Sequence, residues 1–237
     1  MCSLSVDTNF CTCKHSLTPP FATRTTKRYR NVDWMNLETG LRTDYITDYG
    51  FAVLPRISSH FKITEKFSSR IGGGFGYKAP TIFSEDSERI QFQNVLPIDD
   101  DINKLERSYG ANVDFTYKTG LFNDQVFLSI NQLFFYTYLK NPLELQSADN
   151  NRWQFNNIDG HVDSKGAETN MKIKYKDFGL FVGYTYTDAN VKEDGRSYRK
   201  TLTPKHKVNS VLMYEVEDKW KIGLEAYYTG KQKLNDG

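Results

Sequence analysis

Cys11, Cys13 and His15 form a C-x-C pair followed by a histidine, the donor types of a zinc site. No second ligand pair follows, and Cys2 stands apart from them, so no metal centre is expected. Asp99, Asp100, Asp101 and Asn103 have the spacing of half a calcium loop. Counting from Asp99, such a loop needs Gly at the sixth position and Glu at the twelfth, and Lys104 and Gly110 stand there instead. A solvated acidic loop is the expectation. The glycines from Ile71 to Gly76 do not complete a nucleotide-binding spacing, and Lys78, Ala79 and Pro80 follow where a helix would have to start. They read better as inner-face glycines of a strand that a bulky neighbour approaches. His15, His60, His161 and His206 are scattered. Only His60 faces the polar side of a clear strand, with Ser58 its same-face neighbour, and the pair reads as a polar wall contact rather than a catalytic dyad. No nucleophile elbow or zincin motif is present. The sequence therefore predicts no catalytic residue, no metal and no cofactor.

What must position these residues is a set of strands. From Asn36 to the end, apolar and polar residues alternate with period two. Strands are predicted over 36–45, 51–61, 67–78, 105–117, 125–138, 169–175, 178–188, 208–216 and 220–229. In 178–188, Leu180, Val182, Tyr184 and Tyr186 oppose Gly179, Gly183, Thr185 and Thr187. In 220–229, Ile222, Leu224 and Tyr228 oppose Lys221, Gly223, Glu225 and Thr229. Most of these runs exceed the roughly five to six residues of a soluble strand and reach the roughly nine to eleven of a membrane-spanning one. From Trp220 to Tyr228 the rise is roughly 26 Å at about 3.3 Å per residue, enough with tilt for most of an apolar band between aromatic borders. Connections near 62–66, 118–124, 176–177 and 217–219 are short, and those at 79–104, 139–153 and 189–205 are long. The short link at 47–50 falls on the long-loop side.

Composition agrees. The chain has 237 residues, room for one large domain or two small ones. Aromatic residues make up 14%, high for a chain whose mean hydropathy is −0.61. A wall that is polar inside and aromatic outside accounts for both. A net charge of +2 without a clustered basic face argues against nucleic acid. No run approaches eighteen apolar residues, so no helix is expected to cross a membrane. Residues 1–30 show no alternation, carry Pro19 and Pro20, and lack the apolar run of a signal peptide. They are expected to be an irregular lead outside the fold, which then occupies 31–237. A soluble β-sandwich or β-solenoid is the competing architecture.

The stretch RIGGGFGYKAPTIF at 70–83 resembles a segment of TonB-dependent outer-membrane receptors. LETGLRTDYITDYGFAVLPRIS at 37–58 is similar to the strand pair before that segment, and LERSYGANVDFTY at 105–117 to the strand after it. YTYTDA at 184–189, LTPKHKVN at 202–209 and GLEAYYTGKQ at 223–232 resemble late barrel strands in the same order. The resemblance covers about 36–237. It implies an all-β antiparallel meander, part of a transmembrane barrel, which about nine strands do not close. Its edges are expected near 36–46 and 220–230. Nothing in the sequence resembles the family's plug domain or its TonB-contacting segment, so an internal piece of a receptor is expected.

The resemblance further implies a non-enzymatic receptor of the cell outer membrane. It would import a scarce nutrient, most often a ferric siderophore, with energy relayed by TonB through a plug outside this chain. Membrane lipid, the ligand and TonB are the implied partners. A passive porin-like barrel and a soluble β-rich binding module are the rival readings. Binding would fall to the loop mouth, near Lys78, Tyr136, Arg196, Tyr198 and Arg199. Arg42, Arg70, Glu106 and Glu225 would be polar residues of the inner wall, with Arg70 and Glu106 as a charge pair.

Overall fold

A computed structural model describes residues 22–216 and 219–233. Cys2, Cys11, Cys13 and His15 lie outside the described residues. Among the described residues thirteen strands follow one another: β1 Ala22–Val32, β2 Met35–Ile46, β3 Gly50–Lys62, β4 Phe67–Lys78, β5 Glu106–Leu121, β6 Val126–Lys140, β7 Leu143–Ala148, β8 Arg152–Asn157, β9 Gly160–Tyr175, β10 Phe178–Glu193, β11 Arg196–Arg199, β12 His206–Val216 and β13 Trp220–Thr229. One α-helix, α1 Glu85–Arg89, is capped by the Ser84 side chain, which accepts from the Ser87 amide. All pairings between strands are antiparallel, in the order β1-β2-β3-β4-β5-β6-β9-β10-β12-β13, with β11 added to β10. The ends β1 and β13 do not meet, so the sheet is open. β7 and β8 form a separate hairpin within the β6–β9 connection.

Two faces run through the whole sheet, because register carries each strand's alternation onto the next. Leu224, Leu212, Leu180, Ile173 and Leu128 are successive cross-strand partners. So are Tyr186, Ala167, Phe134, Val113 and Ile71. On the opposite face a polar row runs from Asn209 through Gly183, Asn170 and Asn131 to Thr116 and Ser68. There the Asn131 amide donates to Thr116 Oγ1 at 2.8 Å. Among the described residues no second sheet covers the apolar face: Ile222, Leu224 and Tyr228 are 58%, 68% and 60% exposed. That excludes the sandwich. A soluble protein would not leave such a face bare.

Aromatic pairs mark both borders of the apolar face. At the short-turn end Phe178 lies 4.5 Å from Tyr214, and Tyr214 lies 5.0 Å from Trp220, centroid to centroid. At the long-loop end the pairs are Tyr45 with Phe51 at 5.1 Å and Phe75 with Tyr109 at 4.9 Å. Along β5, Tyr109 and Tyr117 are separated by roughly 26 Å of strand at about 3.3 Å per residue. A small apolar core of Ile158, Val162 and Val191, with Leu139 against it, sits at the long-loop end of the sheet.

The expectation of nine strands is corrected in three places. An irregular lead up to residue 30 does not hold for 22–30, which belong to β1 and pair with β2 from Ala22↔Asp44 to Val32↔Met35. The expected edge at 36–46 is therefore paired, and β1 is the edge. Thr, Lys and Arg on both parities of 22–30 hide this strand from any apolar pattern. The connections expected at 139–153 and 189–205 contain β7, β8 and β11. β9 and β10 overrun their predicted spans because His161, Asp163, Lys165 and Lys192 put polar groups on the apolar parity, where alternation then carries no signal.

Gly72, Gly74, Gly166 and Gly183 on the polar face are packed against neighbours, whereas Gly223 faces open space. A Cβ on Gly166 would collide with the Tyr186 carbonyl and the Phe135 ring. Gly166→Val should therefore lower stability by about 1–3 kcal/mol through overpacking. A shift of the urea midpoint of the complete receptor in detergent measures it; an unchanged midpoint would show that the ring moves aside at no cost.

Candidate functional site

The long-loop end of the sheet is organised around a break in its wall. Pairing of β3 with β4 runs from Lys62↔Ser68 to Arg56↔Gly74 and stops there. The next residue on β3 is Pro55, which has no amide hydrogen to donate. Beyond it the β2–β3 hairpin continues alone to Ile46↔Gly50, and β4–β5 continues to Lys78↔Glu106. Asp44 ties the two halves together. Its carboxylate is wholly buried and accepts from Arg42 Nε at 2.8 Å and from the Tyr77 hydroxyl of β4 at 2.9 Å. Arg42 Nη2 adds a second contact at 2.6 Å. Higher up, the Tyr49 hydroxyl donates to Asp100 at 2.8 Å and links the hairpin tip to the long loop after β4. Burial, and then that carboxylate, raise the Tyr49 hydroxyl above the usual phenol range.

That loop is held by hydrogen bonds to the β7–β8 hairpin. The Leu96 amide donates to the Trp153 carbonyl, and the Trp153 amide to the Asn94 carbonyl. Asn103 Nδ2 donates to the Phe155 carbonyl at 2.9 Å, and Asn157 Nδ2 donates to the Lys104 carbonyl at 3.0 Å. The Asp99 to Asn103 segment is an Asx-type turn in which the Asp101 amide donates to Asp99 Oδ1 at 3.1 Å. Among the described residues no group of His, Cys, Asp and Glu is placed to hold a metal ion. Between the hairpin tip and this turn lies a groove of about 370 Å³, lined by Asp48, Asp100 and Asp101 together with Arg107, Tyr109 and Lys140.

The residues singled out from sequence fall into separate places. Lys78 Nζ stands 3.5 Å from Glu106 Oε2 on the polar face. Glu106 is buried and also accepts from the Leu143 amide at 2.9 Å, which seats the start of the β7–β8 hairpin. The expected pairing of Arg70 with Glu106 is not formed, because register sets Arg70 opposite His60 and Asp114, eight residues below Lys78. Arg42 and Glu225 share the polar parity of their strands, and Glu225 accepts from the Tyr227 hydroxyl. Tyr136 lies on the apolar face, exposed, its hydroxyl donating to Asp163 at 2.7 Å. It is not brought near Lys78. Arg196 and Tyr198 lie on β11, where the Tyr198 hydroxyl donates to Glu193 Oε2 at 3.2 Å. Arg199 Nη2 donates to the Thr203 carbonyl at 2.9 Å. The Asp44–Tyr77 tie was not legible, since it needs the strands to part at Pro55. The Arg-x-Asp spacing of its other half was.

Tyr198 stands between two carboxylates, and burial followed by Glu144 and Glu193 pushes its hydroxyl up to about 12. Burial is also the main cause that raises Glu144 on β7, with Lys200 opposing it. A carboxyl raised on folding binds more protons folded than unfolded. Its cost is absent below the ordinary carboxylate value, grows between that value and the raised one, and is complete above it. Glu144→Gln should therefore slow hydrogen exchange in β7 and β8 at neutral pH and flatten its rise from acid to neutral pH. Unchanged exchange at both pH values would count against a half-buried Glu144 that folding raises.

Residues 26–237 match the family model described as TonB-dependent receptor-like, β-barrel. Among curated proteins no sequence matches. Solved structures do. The siderophore receptor PirA from Pseudomonas aeruginosa is 16% identical, with TM-score 0.64 over 87% of this chain and 36% of that one. A variant of the ferric enterobactin receptor from Pseudomonas aeruginosa, in complex with enterobactin, is 18% identical, with TM-score 0.64 over 90% and 33%. The FrpB iron transporter from Neisseria meningitidis is 14% identical, with TM-score 0.59 over 88% and 32%. The chain spans about a third of the length of these receptors. Such identities speak for the fold alone.

Proposed function

Because the chain belongs to the TonB-dependent receptor β-barrel family, we propose that it forms part of the wall and mouth of an outer-membrane receptor that binds a scarce nutrient and imports it. A ferric siderophore is the substrate class the reading favours, since solved receptors of this shape include siderophore and ferric enterobactin receptors. The observation that carries the proposal is the continuous apolar face, left uncovered between two aromatic borders, on strands that match the family from residue 26 to 237. Energy would come from TonB through a plug outside these residues. The long-loop end would supply the ligand surface, with Lys78, Arg196, Tyr198 and Arg199 as candidate contacts. Arg and Tyr there would suit an anionic catecholate. No chemical step is assigned to the chain, and its role is transport rather than catalysis.

The test is uptake. The complete receptor carrying these strands, placed in a receptor-deficient cell, should restore ferric siderophore uptake, and loss of TonB should abolish it. Uptake that persists without TonB would point to a passive porin-like barrel. Recovery of the protein in the aqueous phase after detergent extraction would point to a soluble binding module.

A further inference from the structure

Above Arg56↔Gly74 the wall carries a seam. On one side β1, β2 and β3 stay paired up to Ala22↔Asp44 and Ile46↔Gly50. On the other, β4 and β5 stay paired up to Lys78↔Glu106. Among the described residues no backbone ladder joins the two sides above Arg56. The gap opens within two residues. A Cβ on Gly74 would press on the Pro55 carbonyl and on Arg56 of β3, whereas one on Gly76 would meet nothing of β3 within 4 Å. The lips run from the Phe75–Tyr109 pair to the Tyr45–Phe51 pair, along the aromatic border, where water can still reach unpaired backbone groups. Their outward side chains Phe51, Val53 and Phe75 are exposed.

Two hydroxyls bridge this seam. Tyr77 shares the parity of Phe75 on the apolar face, and Asp44 shares the parity of Arg42 on the polar face. Their hydrogen bond therefore runs from one face of the wall to the other, a path that a continuous ladder would block. Ala52, opposite Asp44 on β3, carries only a methyl group at that height. The second bridge is Tyr49 donating to Asp100, and the loop that carries Asp100 is held by β8 through Leu96, Asn103 and Trp153. One such bond contributes a net factor of roughly five to an equilibrium. Two hydroxyls in place of a ladder leave the closed seam a small margin, and one of the two answers to the loops of the mouth.

Resting on the outer-membrane reading, we propose that the seam is a gate in the wall between β3 and β4, bolted by Tyr77 on Asp44 and tied by Tyr49 to Asp100, so that a ligand that shifts the loop after β4 parts the lips. The complete receptor, freed of other cysteines and inserted into nanodiscs, carries spin labels at Val53→Cys and Arg107→Cys, on either side of the seam. Double electron–electron resonance reads their separation. A second pair, Ile57→Cys and Ala111→Cys, spans the same strands below the seam, where Ile57, Gly73 and Ala111 are cross-strand partners. Tyr77→Phe and Tyr49→Phe should each enlarge the population with the longer upper distance roughly fivefold, and the double variant roughly 25-fold. Asp100→Ala should match Tyr49→Phe and add nothing to it. The lower distance should stay fixed throughout. Tyr198→Phe, whose hydroxyl bonds Glu193, should move neither distance. An unmoved upper distance in the double variant, an equal change below the seam, or a further effect of Asp100→Ala on Tyr49→Phe overturns the proposal. If the double variant does not fold, Tyr49→Phe alone is read against the same fivefold expectation. Failure to enter any nanodisc overturns the barrel reading and the gate with it, whereas insertion with an upper distance that neither hydroxyl moves overturns the gate alone.

Discussion

Expressed as these 237 residues alone, the chain should collect in the insoluble fraction and restore no siderophore uptake to a receptor-deficient cell. Among the described residues β1 and β13 have one partner each, so both ends of the described sheet are open. Each edge offers a row of unpaired backbone donors and acceptors. In lipid these groups would find no water and would cost several kcal/mol apiece. In water the apolar face is exposed instead, and every residue of β13 is exposed. Neither solvent accepts the isolated sheet, and pairing between copies is the remaining outlet. The effect is close to all-or-none, because no local repair removes two edges at once. Fractionation after expression and an uptake assay read it directly. A soluble monomer, or restored uptake, would mean that the sheet closes on itself or with another copy.

Replacing Asp44 should produce the largest change of any single residue here. Its carboxylate is wholly buried, and it joins Arg42 on β2 to Tyr77 on β4 across the point where β3 and β4 part. Removing one partner of a buried charge pair costs about 3–5 kcal/mol, chiefly because the other charge is stranded. Arg42 keeps about a third of its side chain in solvent, so a loss of about 2–3 kcal/mol is expected for Asp44→Ala. Asp44→Asn should cost less, since the amide oxygen still accepts from Tyr77. The double variant Arg42→Leu, Asp44→Leu should recover part of the loss by removing both charges. Unfolding midpoints of the complete receptor in detergent, together with trypsin cleavage within the β2–β3 hairpin, provide the measure. A cost below about 0.5 kcal/mol for Asp44→Ala, the usual range for surface positions, would show that the tie carries no weight.

Much of this architecture was legible in the sequence. Alternation with period two is a local property of an extended chain, because successive side chains must point to opposite faces. It placed Leu180, Val182 and Tyr184 on one face and Gly183 on the other, as found. It also put Tyr136 with Phe134 on the apolar face, a placement at odds with a role in the loop mouth. The positions of the short turns fixed which strands are hairpin partners, because two to four residues leave an antiparallel chain no other neighbour.

The tertiary structure decided what alternation cannot express. Period two says which face a residue occupies, but not which residue of the next strand stands opposite. Register follows from where each turn begins and where a ladder can no longer continue. That is why Glu106 pairs with Lys78 and not with Arg70. It is also why Asp44 reaches Tyr77: Pro55 ends one ladder, and the strands on either side part. β1 was invisible for a related reason. A strand with polar residues on both parities carries no local signature, and only the backbone groups of β2 give it a place.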